Sequence, residues 1–95
     1  MVSRHPGGII SRRYIKPLNL SLTSLADAMG VSVSSVSRVV NEKADLTCDM
    51  AMRISYALGG TPEMWMGLQA DFNLSKAKAA FDSAGLKRLN PVAAK

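Results

Sequence analysis

Residues that commonly carry chemistry are scarce in this 95-residue sequence, which has a single cysteine, Cys48, and a single histidine, His5. A lone cysteine cannot close an internal disulfide, and with one histidine it falls short of the ligand set that structural zinc requires. Cys48 is therefore expected to pack rather than to do redox chemistry. No run approaches the roughly 20 consecutive apolar residues that span a bilayer, and the first residues lack a basic-then-apolar leader pattern. A cytoplasmic location with no membrane contact is expected. The sequence also lacks paired carboxylates on a helical face and a glycine loop ahead of a Lys-Ser or Lys-Thr pair, so no catalytic residue, cofactor or metal is expected.

What is present is ordinary globular material: 47% hydrophobic and 20% charged residues, enough for one modest core in one domain. The net charge of +5 suits a polyanionic partner. Its distribution is uneven. The first 20 residues carry Arg4, Arg12, Arg13 and Lys16 with no acid, and the last part of the chain carries Lys76, Lys78, Lys87, Arg88 and Lys95 against Asp71 and Asp82.

Helical patterns fill most of the chain. His5-Pro6-Gly7-Gly8 reads as a lead-in, with Ile9, Ile10 and Tyr14 at helical spacing before Pro17. Ser21 then caps a second helix with Leu22, Leu25, Ala26 and Met29 at i, i+3, i+4 and i+7, closed by Gly30. The alternating Val and Ser of residues 31–40 fit a strand or a helix on their own. With Ser32 as cap, Val36, Val39 and Val40 share one helical face, and Ser34, Ser37, Arg38 and Asn41 fall on the other. Thr47 caps a fourth helix whose Met50, Ala51, Ile54, Ala57 and Leu58 face inward, ending at Gly59-Gly60. Thr61-Pro62-Glu63 opens a fifth and longest helix with a core stripe of Trp65, Leu68 and Phe72. Met66 and Ala70 project from its far side, more apolar surface than one core needs, and mark a candidate partner or dimer surface. Residues 1–82 read as one domain and residues 83–95 as a flexible basic tail.

Two short helices joined by Gly30-Val31-Ser32 match the needs of a helix-turn-helix at residues 22–41. Such a motif requires a small residue where the helices cross, a glycine for the left-handed turn and apolar residues locking the pair. Leu25, Ala26, Gly30, Val31, Val36 and Val39 supply these. The second helix would enter the major groove of double-stranded DNA, N-terminal residues first. Candidate contacts are Ser34, Ser37 and Arg38 as readers, and Val33, which could meet a thymine methyl or pack on Val31. Ser32 serves at the helix N-terminus, and Asn41 and Lys43 lie on flanking phosphates. Arg38 could bond guanine or phosphate.

The motifs HPGGII, NLSLTSLADAMGVSVSSVSRVVNEKADLT and ALGGTPEMWMGLQADFNL together resemble the XRE/Cro-type helix-turn-helix family, and within it the HigA-type antitoxins of type II toxin–antitoxin modules. That resemblance spans about His5 to Leu74, and the Thr-Pro-Glu-x-Trp-x-x-Leu-Gln run is its more discriminating part. It implies an all-α, five-helix bundle of the phage-repressor-like type with a longer C-terminal helix. It further implies a homodimer joined through that last helix, repression at a palindromic operator, and binding of a RelE-like, mRNA-cleaving toxin. Members often carry glycine where Glu42 stands and a polar residue where Val33 stands, so no operator sequence is implied. A stand-alone regulator of the same fold, and a protein-interaction module whose DNA surface has lapsed, are the rival expectations.

Overall fold

In the computed structural model, residues 4–90 are described, and they contain five α-helices, one π-helical segment and no strand. Helix α1 (Pro6–Ile10) runs directly into the π-helical segment Ser11–Ile15. Proline at the first helical position costs no hydrogen bond, because that N–H has no partner inside a helix. The expected lead-in at Pro6, Gly7 and Gly8 is in fact the first turn itself, entered through His5, whose side chain accepts the Gly7 N–H.

Helices α2 (Leu22–Met29) and α3 (Val33–Val40) form the crossing pair, followed by α4 (Cys48–Leu58) and α5 (Pro62–Ala80). Threonine opens each of the last two: the Thr47 hydroxyl accepts the Met50 N–H at 3.2 Å, and the Thr61 hydroxyl accepts the Met64 N–H at 3.1 Å. One continuous core gathers Ile10, Leu25, Ala26, Met29, Val36, Val39, Leu46, Ala51, Ile54 and Trp65. All five helices contribute to it, and the loop that joins α3 to α4 adds Leu46.

Three expectations are corrected here. Cys48 is exposed, because it is the first residue of α4 and the buried face of that helix begins at Ala51. On α5, Leu68 and Phe72 are only half-buried, and the residue that follows Trp65 into the interior at i+4 is Gln69. Met66 is half-buried against the protein's own core, whereas Ala70 is exposed. The outward apolar stripe therefore runs through Ala70, Leu74 and Ala77 at i, i+4 and i+7, with Phe81 beyond them.

The distal half of α5 extends away from the core, and the molecule measures 53 × 22 × 20 Å along its principal axes. Residues 81–90 are exposed throughout; the remainder of the expected basic tail, residues 91–95, lies outside the described residues.

Candidate nucleic-acid interface

The geometry of the α2–α3 pair follows from two caps and a turn. The Ser21 hydroxyl accepts the Ser24 N–H at 3.0 Å and starts α2. Gly30, at φ 71°, ends it: the Val31 N–H reaches the Ala26 carbonyl at 3.0 Å and the Gly30 N–H reaches the Asp27 carbonyl at 3.2 Å. These crossed bonds are a Schellman closure, which needs a left-handed residue and so favours glycine. Ser32 is extended, its hydroxyl accepts the Ser35 N–H at 3.2 Å, and α3 begins. Ala26, 1% exposed, is small enough to let α3 cross close to α2, and Leu25, Val36 and Val39 are buried beneath the crossing with Val31 at its edge.

With Val36 and Val39 turned inward, the opposite face of α3 is open. Ser32, Val33, Ser34 and Arg38 are exposed along it, and Asn41 and Lys43 are exposed just past its end. Val33 is 41% exposed, so its side chain is presented outward rather than enclosed by Val31. Arg38 forms no ion pair among the described residues and is available to an external anion or base. Ser37 is half-buried, and its hydroxyl accepts from the Asn41 amide at 3.1 Å; the same amide donates to the Ser37 carbonyl at 2.9 Å. Asn41 thus caps α3, with its amide nitrogen engaged by Ser37. The residues brought together on the open face are therefore Ser32, Val33, Ser34, Arg38 and Lys43.

Further residues shape this surface without having been singled out by the sequence. Arg53 on α4 donates from Nη1 to the carbonyls of Met29 at 2.9 Å and Gly30 at 3.3 Å, and from Nε to Asp49 at 2.9 Å. A cation on the free carbonyls of α2 is electrostatically favourable and ties the turn to α4. Asp49 and Arg53 at i, i+4 were the available signal. At the end of α3 a second Schellman closure pairs the Lys43 N–H with the Arg38 carbonyl at 2.8 Å and the Glu42 N–H with the Val39 carbonyl at 3.0 Å. Here the left-handed residue is Glu42, at φ 62°.

A β-carbon in that conformation is strained, so Glu42→Gly should stabilise the fold by about 0.5–1 kcal/mol after the extra entropy of glycine in the unfolded chain is deducted. Thermal denaturation should show a rise of roughly 2–8 °C for a domain of this size. A fall in melting temperature would mean that the Glu42 carboxylate makes a contribution larger than the strain.

Comparison with known proteins places these features in context. A family model described as helix-turn-helix matches residues 12–65. The chain is 39% identical over 84 residues to the uncharacterized HTH-type transcriptional regulator YddM of Escherichia coli K12, with 88% of each chain covered. Among solved structures it is similar to the antitoxin GraA, with a TM-score of 0.89 and 34% identity over 94% of this chain and 99% of that one. It is also similar to the antitoxin HigA of Pseudomonas aeruginosa, whose structure holds the higBA promoter, with a TM-score of 0.84 and 29% identity over 95% and 98% of the two chains.

Proposed function

The chain belongs to the helix-turn-helix family, of the XRE type, and from that premise we propose that it is a sequence-specific transcriptional repressor and the antitoxin of a HigB/HigA-type module. The observation that carries the DNA-binding part is the outer face of α3. It joins a serine-capped N-terminus to an unpaired, exposed arginine on a helix otherwise anchored by buried valines. Backbone N–H groups at Ser32 and Val33 can take a phosphate without reading sequence, whereas Val33, Ser34 and Arg38 face base edges. Lys43 supplies a flanking phosphate contact.

Repression in this reading is occlusion without catalysis, in the cytoplasm. Two copies pair through the stripe at Ala70, Leu74, Ala77 and Phe81, with Met66 at its root, and present their α3 helices to half-sites about 34 Å apart. The second partner is a RelE-like toxin that cleaves mRNA. Co-expression with the product of the adjacent reading frame tests this part: a stable complex that abolishes ribonuclease activity is expected, and a chain that purifies alone and leaves such an enzyme active reduces the reading to that of a stand-alone regulator.

Arg38→Ala tests the interface. Should Arg38 read a base, operator affinity should fall by ~1–3 kcal/mol with relaxed preference at one position; a phosphate contact would instead weaken all duplexes alike and lower the salt slope by about one. Unchanged affinity in a gel-shift titration removes Arg38 from the surface. A chain that selects no duplex from a random pool is better read as a protein-interaction module.

A further inference from the structure

The loop between α3 and α4 is held by two buried polar side chains, one before it and one after it in the sequence. His5 and Gln69 are each only 2% exposed. The His5 Nδ1 accepts the Gly7 N–H at 2.9 Å, so the proton resides on Nε2, which donates to the Ala44 carbonyl at 3.1 Å. Gln69 accepts the Leu46 N–H at 2.7 Å and donates to Asp45 at 3.3 Å and to Asn73 at 3.0 Å. The ring of Phe72, on the same stretch of α5, meets the His5 ring edge-on at 5.0 Å.

A leucine in place of Gln69 would suit the core better, were it not for the Leu46 N–H, which is left without an acceptor if the amide oxygen is removed. Among the described residues no buried side-chain polar atom lacks a partner, so the network is complete. Its effect is to hold residues 44–46 against α5. At the front of the same loop, the Lys43 and Ala44 N–H groups both bind the Arg38 carbonyl, at 2.8 and 3.2 Å. Residues 43–46 are thus pinned at both ends, to the Arg38 carbonyl through the Lys43 and Ala44 N–H groups and to Gln69 at Asp45 and Leu46, with the intervening backbone joining the two anchors.

We propose that Gln69 is a positioning residue for DNA recognition: it fixes the loop that presents Lys43 beside α3, and fixes it relative to the helix that carries the outward apolar stripe. This rests on the DNA-binding reading above. The consequence is that Gln69, although remote from any phosphate, sets how many phosphates the protein neutralises.

Binding of a labelled duplex, recovered from a random pool by the wild-type chain, is measured across a salt series for wild type, Lys43→Ala, Gln69→Leu and the Gln69→Leu/Lys43→Ala pair. Denaturation curves for each give the folded fraction. Gln69→Leu should lower the magnitude of the salt slope by about one, as Lys43→Ala does, and adding Lys43→Ala to it should lower it no further. A purely structural role would reduce the folded fraction and leave the slope intact, and that result overturns the proposal. Should Gln69→Leu fail to fold, Gln69→Glu with and without Asp45→Asn decides. The single change keeps an acceptor for Leu46 but sets two carboxylates together, and the second change restores a donor at residue 45. Loss of slope in the first and recovery in the pair support the clamp, and equal slopes in the two overturn it. A wild-type chain whose duplex binding shows no salt dependence would instead sink the DNA-binding reading itself.

Discussion

Gly7→Ala should cost the fold about 3 kcal/mol or more, while Gly8→Ala, one residue along the same helix, should cost almost nothing or stabilise it slightly. The difference lies in what each new methyl would meet. A β-carbon at Gly7 would overlap the Val39 carbonyl oxygen, a backbone atom of the recognition helix that cannot rotate away. At Gly8 the nearest atoms are the Glu42 carboxylate at 3.0 Å and the Arg12 guanidinium at 3.1 Å, both on flexible side chains that can swing aside. Relief at Gly7 demands that α1 move off α3, which pulls His5 from the Ala44 carbonyl. Overpacking against side chains costs ~1–3 kcal/mol, and a clash with backbone that also breaks a buried polar contact lies at or above the top of that range. Gly8→Ala gains helix propensity worth up to ~1 kcal/mol. Urea titrations of the two variants should separate them clearly, and a Gly7→Ala chain within about 1 kcal/mol of wild type would show that α1 is not docked on α3 as described.

What the sequence made legible was local. Leu22, Leu25, Ala26 and Met29 announce α2 by spacing alone, and Gly30 announces its end because a left-handed closure needs a residue without a β-carbon. The Val-Ser alternation of α3 could not be resolved from periodicity, but a serine cap and the adjacent α2 favoured helix, and the burial of Val36 and Val39 with exposure of Arg38 follows a spacing of three and four, whereas Val33 shares the Val36 side by spacing and is exposed as the first residue of the helix. The unread features are long-range. His5 acts on Ala44 across 39 residues and Gln69 on Leu46 across 23, and no window of a dozen residues contains both partners. Gln69 was hidden further by its neighbours, since Leu68 and Phe72 complete an apolar stripe on paper and a pattern that counts apolar residues passes over an amide in the core. Gly7 reads in the sequence as part of a lead-in to a helix, whereas its smallness is what lets two helices touch. Asp49 and Arg53 sat at ion-pair spacing, but the more consequential bonds of Arg53 go to backbone carbonyls of another helix.

Replacing Trp65 with alanine should destabilise the protein by about 3–5 kcal/mol, the range for emptying a large aromatic site. The side chain is fully buried, at 0% exposure, and it joins the α4–α5 turn to the segment after α1. Its indole N–H donates to the Gly59 carbonyl at 3.0 Å, closing the turn between α4 and α5. Its ring lies 5.9 Å from that of Tyr14, on the π-helical segment after α1. Alanine would leave a cavity and an unmatched carbonyl together, whereas phenylalanine would fill most of the space and omit only the donor, for a smaller loss of about 1–3 kcal/mol. Trp65 is the sole tryptophan, so helix content rather than intrinsic fluorescence must be followed during the denaturation. The order wild type, Trp65→Phe, Trp65→Ala is expected. Equal losses in the two variants would assign the effect to the hydrogen bond, and a loss below about 1 kcal/mol in both would mean that α5 is held by the loop clamp at Gln69 rather than by its tryptophan. Because the loss at Trp65 acts at the root of α5, any residual folded protein should keep the wild-type salt slope on DNA. That separates an anchor of the fold from a residue that positions the interface.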